Sequence, residues 1–123
     1  SMMGYQFETL VANNIPNLLP YLGLDRALLL SAAPFRQLPT ARKKGCQVDL
    51  LLQTESSVCL VEIKRMKEIG PKVEDELREK VARLAVKSGL SVRTALVYEG
   101  TLSPRLAASA YIDAFVDFGA LLK

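Results

Sequence analysis

Charge stands inside two of the most apolar stretches of this chain. Between Gly45 and Lys64 the sequence reads GCQVDLLLQTESSVCLVEIK. Two apolar runs, Val48–Leu52 and Val58–Ile63, flank a polar turn at Gln53–Ser57. Asp49 interrupts the first run, and Glu62 and Lys64 interrupt or close the second. Each run has the length of a strand, and strand side chains alternate between faces. Asp49, Leu51 and Gln53 are then expected on one face, and Leu60, Glu62 and Lys64 on one face of the next strand. A hairpin would bring Asp49 and Glu62 together beside Lys64. A buried charge is costly unless it is paired or holds a metal ion. The trio is therefore expected to be either a structural ion cluster or a site.

The order of elements is read around that hairpin. Residues 4–24 carry a helical stripe of Phe7, Leu10, Val11, Ile15, Leu18, Leu19 and Leu22. Pro16 and Pro20 forbid one straight helix, so a break is expected near Asn13–Asn14 with a second short helix after it. Ala27–Ala33 is a short apolar run, expected as the first strand, and Pro34–Thr40 as loop. Lys72–Ser88 is amphipathic, with Val73, Leu77, Val81, Leu84 and Ala85 on one face and Ser88-Gly89 as its end. Glu74–Arg78, Glu76–Lys80 and Glu79–Arg83 are spaced as favourable i,i+4 pairs. Val92–Tyr98 reads as a strand and Glu99–Leu102 as a turn. Ser103-Pro104 reads as the start of a short helix over Leu106–Tyr111. Ala114–Phe118 reads as a last strand, with a final helical turn over Gly119–Lys123.

Composition bounds the classes of chemistry. The chain has 123 residues, half of them hydrophobic and 24% charged, which fits a single domain with one core. It contains no histidine and two cysteines, Cys46 and Cys59, without metal-ligand spacing. That excludes Cys/His zinc sites, histidine general bases and Ser-His-Asp triads. Cys59 alternates with Val61 and Ile63 and reads as a small buried apolar residue. The net charge of +3 and pI near 9.0 are compatible with a polyanionic partner. No signal peptide and no apolar run of about 18 residues is present, so no membrane partner and a cytoplasmic location are expected. Ser1-Met2 is expected to be a tag remnant.

Asp49 on one strand and Glu62-Ile63-Lys64 on the next resemble the motif of the PD-(D/E)XK nuclease superfamily. Gly45 ahead of Asp49 and the order αβββαβ resemble it too, over Gly4 to Tyr98. The resemblance implies an α/β, restriction-endonuclease-like αβββαβ core with a mixed central sheet flanked by helices. It implies a metal-dependent nuclease using Mg2+ or Mn2+ on DNA or RNA, with Asp49, Glu62 and Lys64 catalytic. Asp49, Glu62 and the Ile63 carbonyl would hold the metal. Glu8, in Gly4-x-x-Phe7-Glu8, resembles the first-helix glutamate of many members and would complete the metal and catalytic set. Arg42, Lys43 and Lys44 directly precede the motif. They would contact phosphate or form a solvated hairpin tip. Arg65, facing away from Lys64, would be solvated or contact phosphate. Lys80 would contact nucleic acid or pair with Glu76 on the surface. The layout also resembles C-terminal modules of archaeal and bacterial AAA+ ATPases. It contains no Walker A sequence, so an ATPase domain is expected upstream in the same chain. Two other readings stay open: a non-catalytic nucleic-acid-binding or regulatory domain of such an ATPase, and a protein-interaction domain.

Overall fold

A computed structural model describes residues 2–121, with side chains from Gln6 onward. Helix α1 (Met2–Ala12) breaks at Asn13–Asn14, and α2 (Ile15–Leu18) follows with a 3-10 turn over Leu19–Leu22. The break lies where the prolines require it. Five strands follow: β1 (Ser31–Gln37), β2 (Cys46–Gln53), β3 (Ser57–Ile69), β4 (Ser91–Leu102) and β5 (Ala114–Asp117). Helix α3 (Lys72–Arg83) joins β3 to β4. The short α4 (Pro104–Ala107) lies between β4 and β5, and α5 (Phe118–Leu121) follows β5. The result is an α/β fold with a mixed sheet in the order β1-β2-β3-β4-β5. The first three strands are antiparallel and the last three parallel. A parallel pair needs a crossover, which α3 supplies. Among the described residues no helix is long and apolar enough to cross a membrane.

The sheet is covered on both faces, which explains the near-continuous apolar runs. One layer joins Phe7, Val11 and Leu18 to Leu50, Val61, Val97 and Phe118. The other joins Val73, Leu77 and Leu84 of the α3 side to Leu51, Leu60 and Leu96. Val58 to Ile63 are all buried. Phe7 meets Phe118 edge-on, with ring centroids 5.2 Å apart. Burial of one such ring contributes about 2–3 kcal/mol, and here it fixes the helix turn that carries Glu8. Leu10, expected in the same stripe, is 43% exposed.

Several boundaries differ from the sequence expectation, each for a reason outside local pattern. Arg26–Leu28 is a 3-10 turn, with Asp25 Oδ1 accepting from the Ala27 amide at 2.9 Å. The first strand starts later and runs through Pro34. It is an edge strand, and Pro34 falls in a register shift, so the missing N–H is tolerated. Strands β3 and β4 continue past the site and pair as far as Ile69 with Leu102, where a turn at Glu99–Leu102 was expected. Ser103 does cap α4, its Oγ accepting from the Leu106 amide at 3.2 Å, but that helix stops at Ala107. Phe118 belongs to α5; of the expected terminal turn, Leu122 and Lys123 lie outside the described residues.

Helix α3 ends at Arg83 because a β1 side chain stops it. Gln37 Nε2 donates to the Arg83 carbonyl (2.7 Å) and the Lys44 carbonyl (2.9 Å). Its Oε1 accepts from the Ala85 amide (2.8 Å). One amide thus caps the helix and ties down the loop before β2. Gln37→Ala is expected to lower stability by about 1–3 kcal/mol, measured by urea unfolding, because it strands these groups. A loss within experimental error would show that the cap is replaceable by water.

Candidate functional site

The site is built where β2 and β3 separate. Their ladder pairs Gln53 with Val58 through Leu50 with Val61, and then ends. On the other side of β2, Ala33 pairs with Leu51 but Phe35 pairs with Val48. Asp49 and Leu50 together therefore oppose the single Pro34, which is a bulge in β2. Strict alternation would put Val48 and Leu51 on opposite faces; both join the apolar layer that contains α3. Bulges bend a strand and re-aim a side chain, and this one re-aims Asp49. Asp49 Oδ2 accepts from the Ile63 amide at 2.9 Å, replacing the backbone bond that the open ladder no longer gives. A strand residue's N–H and C=O point to the same side, so the Ile63 carbonyl is directed toward that gap too.

Glu62 stands opposite Asp49 and is 3% exposed. Burial, then the charge of Asp49, pushes its carboxyl up to about 7, against the opposing pull of Lys80. A side-chain hydrogen bond with Asp49 adds to the rise. Two carboxylates crowded in a poorly solvated place favour a proton or a cation. Two lysines answer that demand. Lys80 Nζ donates to both Glu62 oxygens, at 2.9 and 3.3 Å. Lys64 Nζ lies 3.9 Å from Glu62 Oε1 and 3.1 Å from Glu76 Oε2. Burial lowers the Lys64 pKa, but its bond to Glu76 and the charges of Glu62, Glu76 and Asp49 leave it raised.

Helix α3 thus crosses the sheet with two charged residues turned inward. The spacing of Glu76 and Lys80 had pointed to a surface pair between them. Each instead pairs with β3, Glu76 with Lys64 and Lys80 with Glu62. The other two expected pairs form, Glu74 with Arg78 at 3.0 Å and Glu79 with Arg83.

Glu8 faces the site from α1. It lines, with Asp49, Gln47, Pro34 and Arg36, a cavity of about 410 Å³. Burial and the charge of Asp49 raise its pKa, while Lys80 and Lys64 lower it. The sequence reading had missed Arg36 and Gln47 on this cavity. Arg36 lay in an expected loop, and nothing in its neighbours marked it. Among the described residues, no three acidic, cysteine or histidine side chains converge closely enough to chelate an ion as they stand. Asp49 and Glu62 form a pair, with Glu8 across the cavity. Their oxygens and the Ile63 carbonyl are hard donors that suit Mg2+ or Mn2+.

The basic residues do not all gather here. Arg42, Lys43 and Lys44 are exposed in the loop before β2. Thr40 Oγ1 accepts from the Arg42 and Lys43 amides and orders the loop. Arg83 Nη1 donates to the Gly45 carbonyl and holds its end against α3. Arg65 is turned outward as expected, but it pairs with Glu99 on β4 at 3.7 Å. Lys80 is turned inward onto Glu62, with its side chain partly exposed. Cys59 is buried, and burial pushes its thiol up to about 11, in keeping with an apolar role. Comparison of the chain with models of protein families, with curated proteins and with solved structures finds no match.

Proposed function

We propose that the chain is a metal-dependent nuclease that hydrolyses phosphodiester bonds in DNA, with RNA as the other candidate substrate. The observation that carries this reading is the Asp49–Glu62 carboxylate pair at the parting of β2 and β3, with Lys64 3.9 Å from Glu62. Asp49, Glu62 and the Ile63 carbonyl would hold Mg2+ or Mn2+, with Glu8 completing the shell directly or through water. Such an ion, when bound, supplies charge neutralisation at the phosphoryl group and a more acidic bound water. Asp49 also fixes the Ile63 backbone, and so the direction of its carbonyl. Lys64 positions water and offsets negative charge that develops on phosphate. Arg42, Lys43, Lys44 and Arg36 are free to meet backbone phosphates, a contact that weakens with salt. The reading places the domain in the cytoplasm, as a module joined to an upstream AAA+ ATPase domain.

A second reading is a non-catalytic nucleic-acid-binding domain. It is favoured by the ion pairs that already occupy Glu62 and Lys64. The two separate in an assay of the chain with labelled DNA and Mg2+ or Mn2+. Cleavage is expected that EDTA stops and that Lys64→Met slows by about 10²–10³-fold. Salt-dependent DNA binding without cleavage, lost when Arg42, Lys43 and Lys44 are changed to alanine, would replace the first reading by the second.

A further inference from the structure

Resting on that metal reading, we propose that Lys80 is the site's resident counter-ion, which a divalent cation displaces on entry. Glu62 is buried and keeps both oxygens occupied: Lys80 Nζ contacts them at 2.9 and 3.3 Å, and Lys64 lies 3.9 Å from one. A cation that takes Glu62 as a ligand meets an ammonium group already in that position. A divalent cation and the Lys80 ammonium that need the same two Glu62 oxygens repel each other at contact distance, and the doubly charged ion is the stronger competitor. Lys80 has somewhere to go. Its side chain is 21% exposed and lines a groove of about 220 Å³ with Glu76, Glu79 and Gln47. Glu76 lies one helical turn before Lys80, at the spacing of a favourable pair. The present partner of Glu76 is Lys64, at 3.1 Å. A Lys80 that turns to Glu76 competes for that carboxylate and releases Lys64 toward the site. Metal entry and the freeing of Lys64 are thereby one exchange of partners among Glu62, Glu76, Lys64 and Lys80. Lys80 acts here as a positioning residue and touches no reacting atom.

Mn2+ is the probe, and binding is measured by calorimetry in alkaline buffer, so that Glu62 is ionised in every variant. Lys80→Met is expected to bind Mn2+ about tenfold more tightly than the parent chain, within the ordinary range of binding couplings. A second measurement needs no variant. Acylation of lysines in the parent chain, read by mass spectrometry with exposed Lys87 as reference, is expected to label Lys80 faster with Mn2+ than with EDTA. Equal Mn2+ affinities and Mn2+-insensitive labelling of Lys80, with Asp49→Asn losing Mn2+ binding, would overturn the exchange and leave the metal site standing. Failure of both the parent chain and Lys80→Met to bind Mn2+ would overturn the metal reading, and the exchange with it.

Discussion

On the proposed nuclease reading, Glu62→Gln is expected to abolish metal-dependent cleavage, by about 10³-fold or more, while removing a pH dependence of stability from the metal-free protein. The first effect follows from the loss of an anionic oxygen at the centre of the site. The second follows from burial. Glu62 holds its proton more tightly in the folded chain, where its pKa is about 7, than in the unfolded chain, where it is near 4.5. The folded state therefore binds the extra proton between those values. Stability from this group is fully present below about pH 4.5 and is lost as pH rises through about 7. At about 1.4 kcal/mol per tenfold change in proton affinity, the loss is about 3 kcal/mol. Lys80 does not remove this dependence; it only moderates it, since its charge pulls the Glu62 pKa down.

Urea unfolding of both proteins in EDTA, from about pH 5 to pH 8, isolates the Glu62 contribution as a difference of slopes. Glu8, whose pKa is also raised, titrates with the same sign in both proteins and cancels. Glutamine keeps the shape of Glu62 and a hydrogen-bonding oxygen for Lys80, which is itself partly exposed. The variant should therefore equal or exceed the parent in stability at pH 8 while losing activity. Parallel stability profiles for the two proteins would show that Glu62 titrates normally and that the carboxylate pair is not crowded. A stable, flat variant that still cleaved would remove Glu62 from the chemistry.

What the sequence made legible was the anomaly itself. Asp49, Glu62 and Lys64 stand out because charge inside an apolar strand has few physical excuses, and that signal is local. The helix break at Asn13–Asn14 was legible for the same reason, since proline acts on its own backbone. The bulge at Asp49–Leu50 was not, because it exists only in the register with β1. Neither was the end of α3, where Gln37 caps a helix 46 residues away in sequence. Lys80 and Glu76 have the spacing of a surface pair, and only the crossing of α3 over β3 turns each toward a strand partner. The extensions of β3 and β4 were not legible because Arg65, Lys67 and Glu68 are charged and Met66 is exposed beside them, so the segment lacks the pattern of a half-buried strand.

Those extensions carry the second large effect: Gly100→Ala is expected to destabilise the protein by about 3 kcal/mol or more. Arg65 pairs with Glu99 and Glu68 with Thr101, so Met66 and Lys67 together oppose Gly100 alone. The β3 backbone closes on β4 there. A Cβ at Gly100 would sit 1.8 Å from the Met66 carbonyl oxygen, and the glycine φ of 136° is one that side chains rarely adopt. Backbone would have to move, and it is backbone that leads directly to Ile69, which is fully buried, and then to the start of α3. Displacement there disturbs the helix that presents Glu76 and Lys80 to β3. Gly70→Ala is the matched control, since its added Cβ meets nothing within 4 Å, and a change of less than about 1 kcal/mol is expected. Urea unfolding of both variants decides the matter. If Gly100→Ala were no worse than Gly70→Ala, the close approach of β3 to β4 would not be what holds the start of α3 in place.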